Sequence, residues 1–389
     1  MNRRAQPAED WRQHFFEFDD VVYLNVAAQG PLPRTAVHAL QQALEWKKNP
    51  ATLPAPAYFE WPNRIRQLLA QMLGGDPREF AVTTGASAGL AAVAAGIRWS
   101  PEDEVLIAEG EFPAHFATWM PLAEAGRLTV KLVRARRQRF LAAEDFLDWL
   151  TPRTRLVSTS LVRFESAARV DAARLAAACR DVGALLLLDL SQCAGAMPLE
   201  LRALGADFAV CAGYKWLLSP YGTGFFWLRR ELLDSERFSA PAPFYWMALE
   251  GAERFESLGR NGWRPVPEAR RWDAPETGSF LNLLPMAASL EFLCRVGIST
   301  IWEHNQRLLN LLIERLPRDR CVLASPADAA ARGPFLCLAG RSPDSTAALF
   351  QKLHENKVIV SLREGALRIA PHLYNTERDL ERLLALLAV

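Results

Sequence analysis

The chain has 389 residues, half of them hydrophobic and 23% charged, with a formal net charge of +1. That length suffices for two domains, the composition excludes a disordered chain, and the near-zero charge excludes a field that would gather nucleic acid or an anionic membrane. No apolar run is long enough to cross a bilayer, "MNRRAQPAEDWRQHFF" lacks the apolar stretch of a signal peptide, and six scattered cysteines form no CxxC pair, so a soluble cytoplasmic protein with free thiols is expected.

The first clear element is "REFAVTTG" (78–85), a strand running into a turn, followed by the Ala-rich helix "ASAGLAAVAAGI" (86–97). "DEVLIAE" (103–109), "RLTVKLVRA" (127–135) and "TRLVSTSL" (154–161) read as strands. "DAARLAAACRDVG" (171–183) has helical spacing and ends on a glycine suited to a cap. The strands "ALLLLDL" (184–190), "DFAVCAG" (207–213) and "GTGFFWLRREL" (222–232) follow. Continuously apolar strands alternating with amphipathic helices predict a mostly parallel sheet of the seven-stranded type, covered on both faces. Residues 240–275, rich in Pro, Arg and aromatics without clean periodicity, read as a long functional loop. Tyr245, Trp246, Arg260 and Trp263 are the candidates there for choosing between reactions. From about 283 a long helix broken at "GIS" leads into a smaller α+β unit with strands "PFLCLAG", "VIVSLR" and "ALRIAP". The expected division is a large domain over 21–282 and a small C-terminal domain over 283–389, joined by the N-terminal segment 1–20.

Ligands of open α/β sheets bind beyond the carboxyl ends of the strands, and several unusual residues fall there. Asp189 ends "ALLLL", Gln192 follows it, Glu111-Phe112-Pro113 follows "DEVLIA", and Lys215 follows "DFAVCAG". Lys215 is one of only six lysines among 45 basic residues, in a chain that otherwise uses arginine. An amine forms an imine with an aldehyde, which a guanidinium does not. Pyridoxal phosphate would use the whole set: Lys215 for its aldehyde, Asp189 to keep its ring nitrogen protonated, "GASAG" at a helix start for its phosphate, and Phe112 as a flat partner. Singly these features mean little, since a strand-end Asp is usually a cap and a lone Phe is usually core; in this order they point to one cofactor.

"LLLLDLSQCAG" and "GYKWLLSPYGTGFFWL", with Asp189 and Lys215 26 residues apart, resemble the class V branch of the fold type I pyridoxal-phosphate enzymes. That branch includes cysteine desulfurases, kynureninases, isopenicillin-N-epimerase-like proteins and some aminotransferases. The resemblance runs from "YLNVAAQGPLP" through "VTTGASAG", "EFPAHFATW" and "ETGSFLNLLPMAASLEFL" to "LRIAPHLYNTERDL". It implies a Schiff base on Lys215 and a pyridinium partner in Asp189. It also implies a ring-oxygen contact from Gln192, a stacking ring in Phe112, and phosphate contacts from Ala86, Ser87 and Tyr214. Arg368 falls where the family binds the substrate carboxylate, and Asn25 to Ala28 line the substrate side. Thr277 and Gly278 would reach the phosphate of the neighbouring subunit in a homodimer with shared sites.

The loop "SLREGALR" lacks the nucleophilic cysteine of a desulfurase, and Cys337 sits in a predicted strand, so desulfurase activity is not expected. The resemblance leaves a transaminase as the nominal reading, a kynureninase-like C–C or β-lyase next and an amino-acid epimerase third. A pyridoxal-phosphate-binding scaffold or regulator is the non-enzymatic alternative. The substrate would be an amino acid or amine. The six histidines show no metal-ligand spacing, so no metal is expected, and "TTGASAG" is not the GxGxxG of a dinucleotide site. His115 is left between two readings, an approach to the cofactor and a partner for a backbone group.

Overall fold

The structure, a computed structural model, describes residues 10–136, 139–233, 235–239, 245–260, 262–276 and 279–389. A short strand β1 (Val22–Tyr23) precedes two helices, α1 (Arg34–Lys48) and α2 (Ala57–Leu73). Next come β2 (Phe80–Thr83), α3 (Ala86–Gly96), β3 (Glu104–Ala108), α4 (Pro113–Glu124), β4 (Thr129–Val133), α5 (Ala143–Leu147) and β5 (Thr154–Ser160). They are followed by α6 (Ala172–Asp181), β6 (Leu185–Asp189), α7 (Leu201–Leu204), β7 (Phe208–Ala212) and β8 (Gly224–Leu228). The chain then forms α8 (Phe280–Val296), α9 (Ile298–Glu314), β9 (Cys321–Leu323), β10 (Leu336–Gly340) and α10 (Pro343–Glu355). It ends with β11 (Val358–Ile359), β12 (Ser361–Arg363), β13 (Ala366–Ile369) and α11 (Glu377–Ala388).

Seven strands form one sheet in the order β2-β8-β7-β6-β5-β3-β4. All its pairings are parallel except those of β8, which runs antiparallel to both β2 and β7. The apolar runs predict this burial because alternate residues feed opposite faces. Leu106, Leu186, Leu188 and Ala209 enter one core, while Val105, Ile107, Leu185, Leu187, Phe208 and Val210 enter the other. The edge strand β4 is more exposed, and its Lys131 pairs with Glu104 of β3 at 2.9 Å. Asp171 caps α6 by accepting from Arg174 N at 3.1 Å, and Gly183 (φ 76°) makes the left-handed turn into β6.

The smaller unit holds an antiparallel sheet, β12-β13-β10-β9, and β1 pairs in parallel with β11. The long helix expected after residue 283 is two helices, bent by 76° at Gly297 (φ 87°). Leu283, Met286, Ala287 and Leu290 of α8 pack into the core under the large sheet, whereas Val22 and Leu24 pack with Leu308, Leu336 and Leu380. We propose a division that follows these cores, with α8 in the large unit and β1 in the smaller one. Among the described residues, no single helix is long and apolar enough to cross a membrane.

Candidate active site

The carboxyl ends of β2, β3, β6 and β7 open onto one cavity of about 130 Å³. Its wall includes Gly85, Ala86, Ser87, Phe112, Asp189, Ser191, Tyr214, Lys215 and Tyr221. Lys215, Asp189, Phe112, Ala86, Ser87 and Tyr214, each singled out in the sequence, thus meet in one place. Lys215 Nζ stands 5.0 Å from the centroid of the Phe112 ring.

Lys215 is buried, and that burial pushes its amine below the ordinary lysine value; Asp189 pulls it up, while Arg368 and Arg363 push it further down. Asp189 is also buried, which raises its carboxyl, but His115, the Ser191 side chain and Lys215 more than offset this and hold it below the usual range. Ser191 N donates to Asp189 Oδ1 at 2.7 Å, and Ser191 Oγ accepts from Ala212 N at 2.9 Å, locking the ends of β6 and β7 together. Burial and the neighbouring Tyr221 ring push the Tyr214 phenol up to about 12, so it remains a hydrogen-bond donor.

At the start of α3, Gly85 has φ +152°, and a Cβ built there would meet nothing within 4 Å. The first residues of the helix, Ala86, Ser87 and Ala88, line the cavity beside Tyr214. Phe112 is positioned by its neighbour, Glu111. That fully buried carboxylate accepts from Phe112 N (2.9 Å), Ser160 Oγ (2.6 Å), Ser160 N (2.9 Å) and Arg163 Nη1 (2.8 Å). Arg163 also donates to the carbonyls of Glu109 and Gly110 and to Glu165. The "LVRFES" segment is thus the clamp that ties β5 to the turn carrying Phe112, a role that sequence reading missed because its partners lie about 50 residues apart.

Arg368 is 2% exposed and makes one hydrogen bond, to Phe164 O at 3.3 Å. Its Nε has no partner, and no carboxylate pairs with it among the described residues. Asn25 accepts from Ser361 Oγ at 2.6 Å and bridges to Ala370, beside β13, while Ala28 closes the turn by donating to Asn25 O. Gln192 is buried next to Asp189, but its amide is engaged elsewhere: Oε1 accepts from Trp216 Nε1 and Nε2 donates to Ala27 O, each at 3.2 Å. One Nε2 hydrogen remains for a ligand. Gly30 N donates to Tyr214 O at 2.8 Å, and a Cβ at Gly30 would lie 2.2 Å from Lys215 O, so the N-terminal turn rests directly on the lysine peptide.

Among the other residues singled out, those of the 245–263 segment stay off the cavity wall. Tyr245 is buried in a separate aromatic cluster with Phe59 and Met247, Trp263 is 81% exposed, and neither Trp246 nor Arg260 lines the cavity. Thr277 and Gly278 lie outside the described residues. Cys337 is fully buried opposite Arg368 in the β10–β13 pair, with burial pushing its thiol up to about 12. His115 faces neither the cavity nor a backbone group; its Nδ1 lies 2.9 Å from Ser158 Oγ. Ser191 and Tyr221 escaped the sequence reading, although Ser191 stands two residues past a strand-end aspartate, where a turn hydroxyl is common.

An amine facing a ring, a buried carboxylate, an open helix N-terminus with hydroxyl donors, and a guanidinium with no acid partner suit a ring aldehyde carrying a phosphate and an amino acid with a carboxylate. The aminotransferase class-V family model matches residues 22–383. Isopenicillin N epimerase of Streptomyces clavuligerus is 26% identical over 93% of this chain and 93% of that protein. Kynureninase of Deinococcus radiodurans is 28% identical over 82% of this chain and 78% of that protein. Among solved structures, a C-DES mutant with glycine covalently linked to its PLP cofactor matches with a TM-score of 0.86 at 22% identity, over 97% of this chain and 98% of that one. Apo cysteine desulfurase from Thermococcus onnurineus matches with a TM-score of 0.83 at 19% identity, over 99% and 98%. The fold is that of the fold type I pyridoxal-phosphate enzymes.

Proposed function

The chain belongs to the class-V aminotransferase family of pyridoxal-phosphate enzymes, and from that premise we propose that it is a transaminase acting on an amino acid with a free α-carboxylate. The observation that carries the substrate class is Arg368, a buried guanidinium without an acid partner among the described residues. Bound pyridoxal phosphate supplies the electron sink that makes a Cα proton acidic and the carbon that carries the amino group. Lys215 anchors it and Asp189 holds the proton on its ring nitrogen. The α3 amides, Ser87 and Tyr214 bind its phosphate, and Phe112 covers its ring.

Arg368 orients the substrate through its carboxylate, replacing the single bond to Phe164 O. Lys215, freed by the substrate amine, would take the Cα proton at Nζ and carry it along that one face to the carbon that accepts the amino group. Lys215 is the amine on the cavity wall, where Asp189 is tied to Ser191 and Tyr214 keeps its proton, and we take it as the base. A single base working on one face favours amino-group exchange. A C–C or β-lyase is the second reading, favoured by the Tyr214-Lys215 pair and the likeness to kynureninase. Desulfurase chemistry is disfavoured by the absence of a cysteine between Ser361 and Arg368 and the burial of Cys337.

We place the protein in the cytoplasm, in keeping with six free cysteines, and assign it a homodimer in which Thr277 and Gly278 reach the partner's phosphate site. The test is a screen of amino acids with the holoenzyme. Transfer of an isotopic amino label to an added 2-oxo acid supports the proposal. Release of pyruvate or alanine without an acceptor would instead mark a lyase, and solvent deuterium at Cα without net product an epimerase. Lys215→Ala is expected to abolish both exchange and the visible absorbance of the bound cofactor.

A further inference from the structure

We propose that Trp119, Ser158 and His115 form a relay behind Asp189 that aims a ring N–H at its carboxylate, making His115 a positioning residue for the cofactor's ring nitrogen. The inference rests on pyridoxal phosphate lying against Asp189, but not on which reaction follows.

His115 and Trp119 are four residues apart and are the two buried residues of α4, a spacing that puts both on the face turned to the sheet. Between them lies Ser158 of β5; all three side chains are fully buried. An indole N–H only donates, so at 3.0 Å Trp119 Nε1 spends its proton on Ser158 Oγ. The serine hydroxyl has one proton of its own, and its other polar neighbour is His115 Nδ1 at 2.9 Å. Ser158 therefore donates to Nδ1, and the ring proton resides on Nε2.

That Nε2 has no hydrogen-bond partner among the described residues and lies 3.8 Å from Asp189 Oδ2. A buried N–H left without a partner is costly; of the two buried acids near the imidazole, Glu111 is held by Ser160 Oγ and Arg163 Nη1, which leaves the carboxylate that faces the cavity. His115 is absent from the cavity wall while Asp189 is part of it, so the imidazole approaches from the protein side. Asp189 Oδ1 is already held by Ser191 N at 2.7 Å. With His115 Nε2 facing Oδ2, both oxygens have a donor on the protein side, and each keeps a lone pair for the ring nitrogen.

A donor aimed at the ionised carboxylate makes it a weaker base and so leaves the proton on the ring nitrogen. Removing the donor should draw that proton towards Asp189, make the ring less electron-withdrawing, and render the imine nitrogen on Lys215 more basic. The pH at which the visible band titrates then rises. The experiment compares wild-type holoenzyme with His115→Phe and Ser158→Ala, following the band against pH and titrating apoprotein with pyridoxal phosphate. Both variants are expected to move the midpoint upward by about one pH unit and weaken cofactor binding about tenfold, and His115→Gln, which restores an N–H, should recover part of the shift. A purely packing role would lower the melting temperature and leave the midpoint in place. Midpoints and affinities unchanged in both variants overturn the proposal, as does a shift in His115→Phe alone, which removes the relay.

Should the variants fail to fold, 15N-histidine NMR of wild-type holoenzyme decides: the Nε2–H tautomer for His115 supports the relay and Nδ1–H overturns it. A wild type that forms no visible band overturns the cofactor reading and this inference together, whereas an unmoved midpoint overturns this inference alone.

Discussion

At the scale of single residues, the cavity is built from charges whose surroundings decide their protonation. Burial lowers the Lys215 amine below its ordinary 10.5, and although Asp189 pulls the other way, Arg368 and Arg363 add to the fall. Only the unprotonated amine attacks an aldehyde, so a lowered value enlarges the reactive fraction at neutral pH. The rate at which apoprotein takes up pyridoxal phosphate, followed by absorbance, is expected to rise with pH and level off below 10.5. Glu111 presents the reverse sign. Its burial raises the carboxyl, but Arg163, His115 and the Ser160 contacts bring it below the ordinary 4.5. The stability it contributes is thus present above 4.5 and lost as pH falls through the lower folded value. Glu111→Gln strands the Arg163 guanidinium in a dry interior and is expected to cost about 3–5 kcal/mol, read by denaturant unfolding, with the loss shrinking in acid.

Elements rather than residues explain which parts of the molecule were legible beforehand. The strands of the large sheet announced themselves because both faces are buried, leaving runs such as "ALLLLDL" with no polar interruption. The helices α1 and α2 went unread: only Ala36 and Ala43 of α1 are buried, so its apolar stripe is faint, and prolines flank both helices. The site residues at strand ends could be read because topology places strand ends together. The Arg163–Glu111 clamp and the Ser158–His115 contact could not, since nothing in a linear pattern reports contacts 52 and 43 residues apart. The turn between β2 and α3 carries its own test. Gly85 holds a φ of +152° that a side chain resists, yet no protein atom would touch its Cβ. Gly85→Ala should therefore cost about 1–3 kcal/mol from the backbone and also intrude on the space reserved for a phosphate. Equilibrium titration is expected to show a larger loss of affinity for pyridoxal phosphate than for pyridoxal, and equal losses would deny the phosphate its place at this helix.

For the molecule as a whole, the proposed homodimer makes a prediction about exposed apolar side chains. Trp263 is 81% exposed, and Leu44, Phe255 and Leu258 are each at least 40% exposed, side chains that a second subunit would cover in the homodimer proposed above. Sedimentation velocity of the holoenzyme is expected to show a particle of two chains, and a fully active single-chain particle would rule out a shared site. The two units of one chain are also leashed to each other in a way that bears on any hinge. Val26 N is tied to Ala370 O beside the small sheet, and Gly30 N to Tyr214 O, the residue just before the lysine. Three residues separate those knots, four steps of backbone that span at most about 14 Å when drawn taut. There is little slack in such a leash, so a swing of the smaller unit large enough to admit or release a substrate must tug on the backbone beneath Lys215, and entry and chemistry share one mechanical linkage.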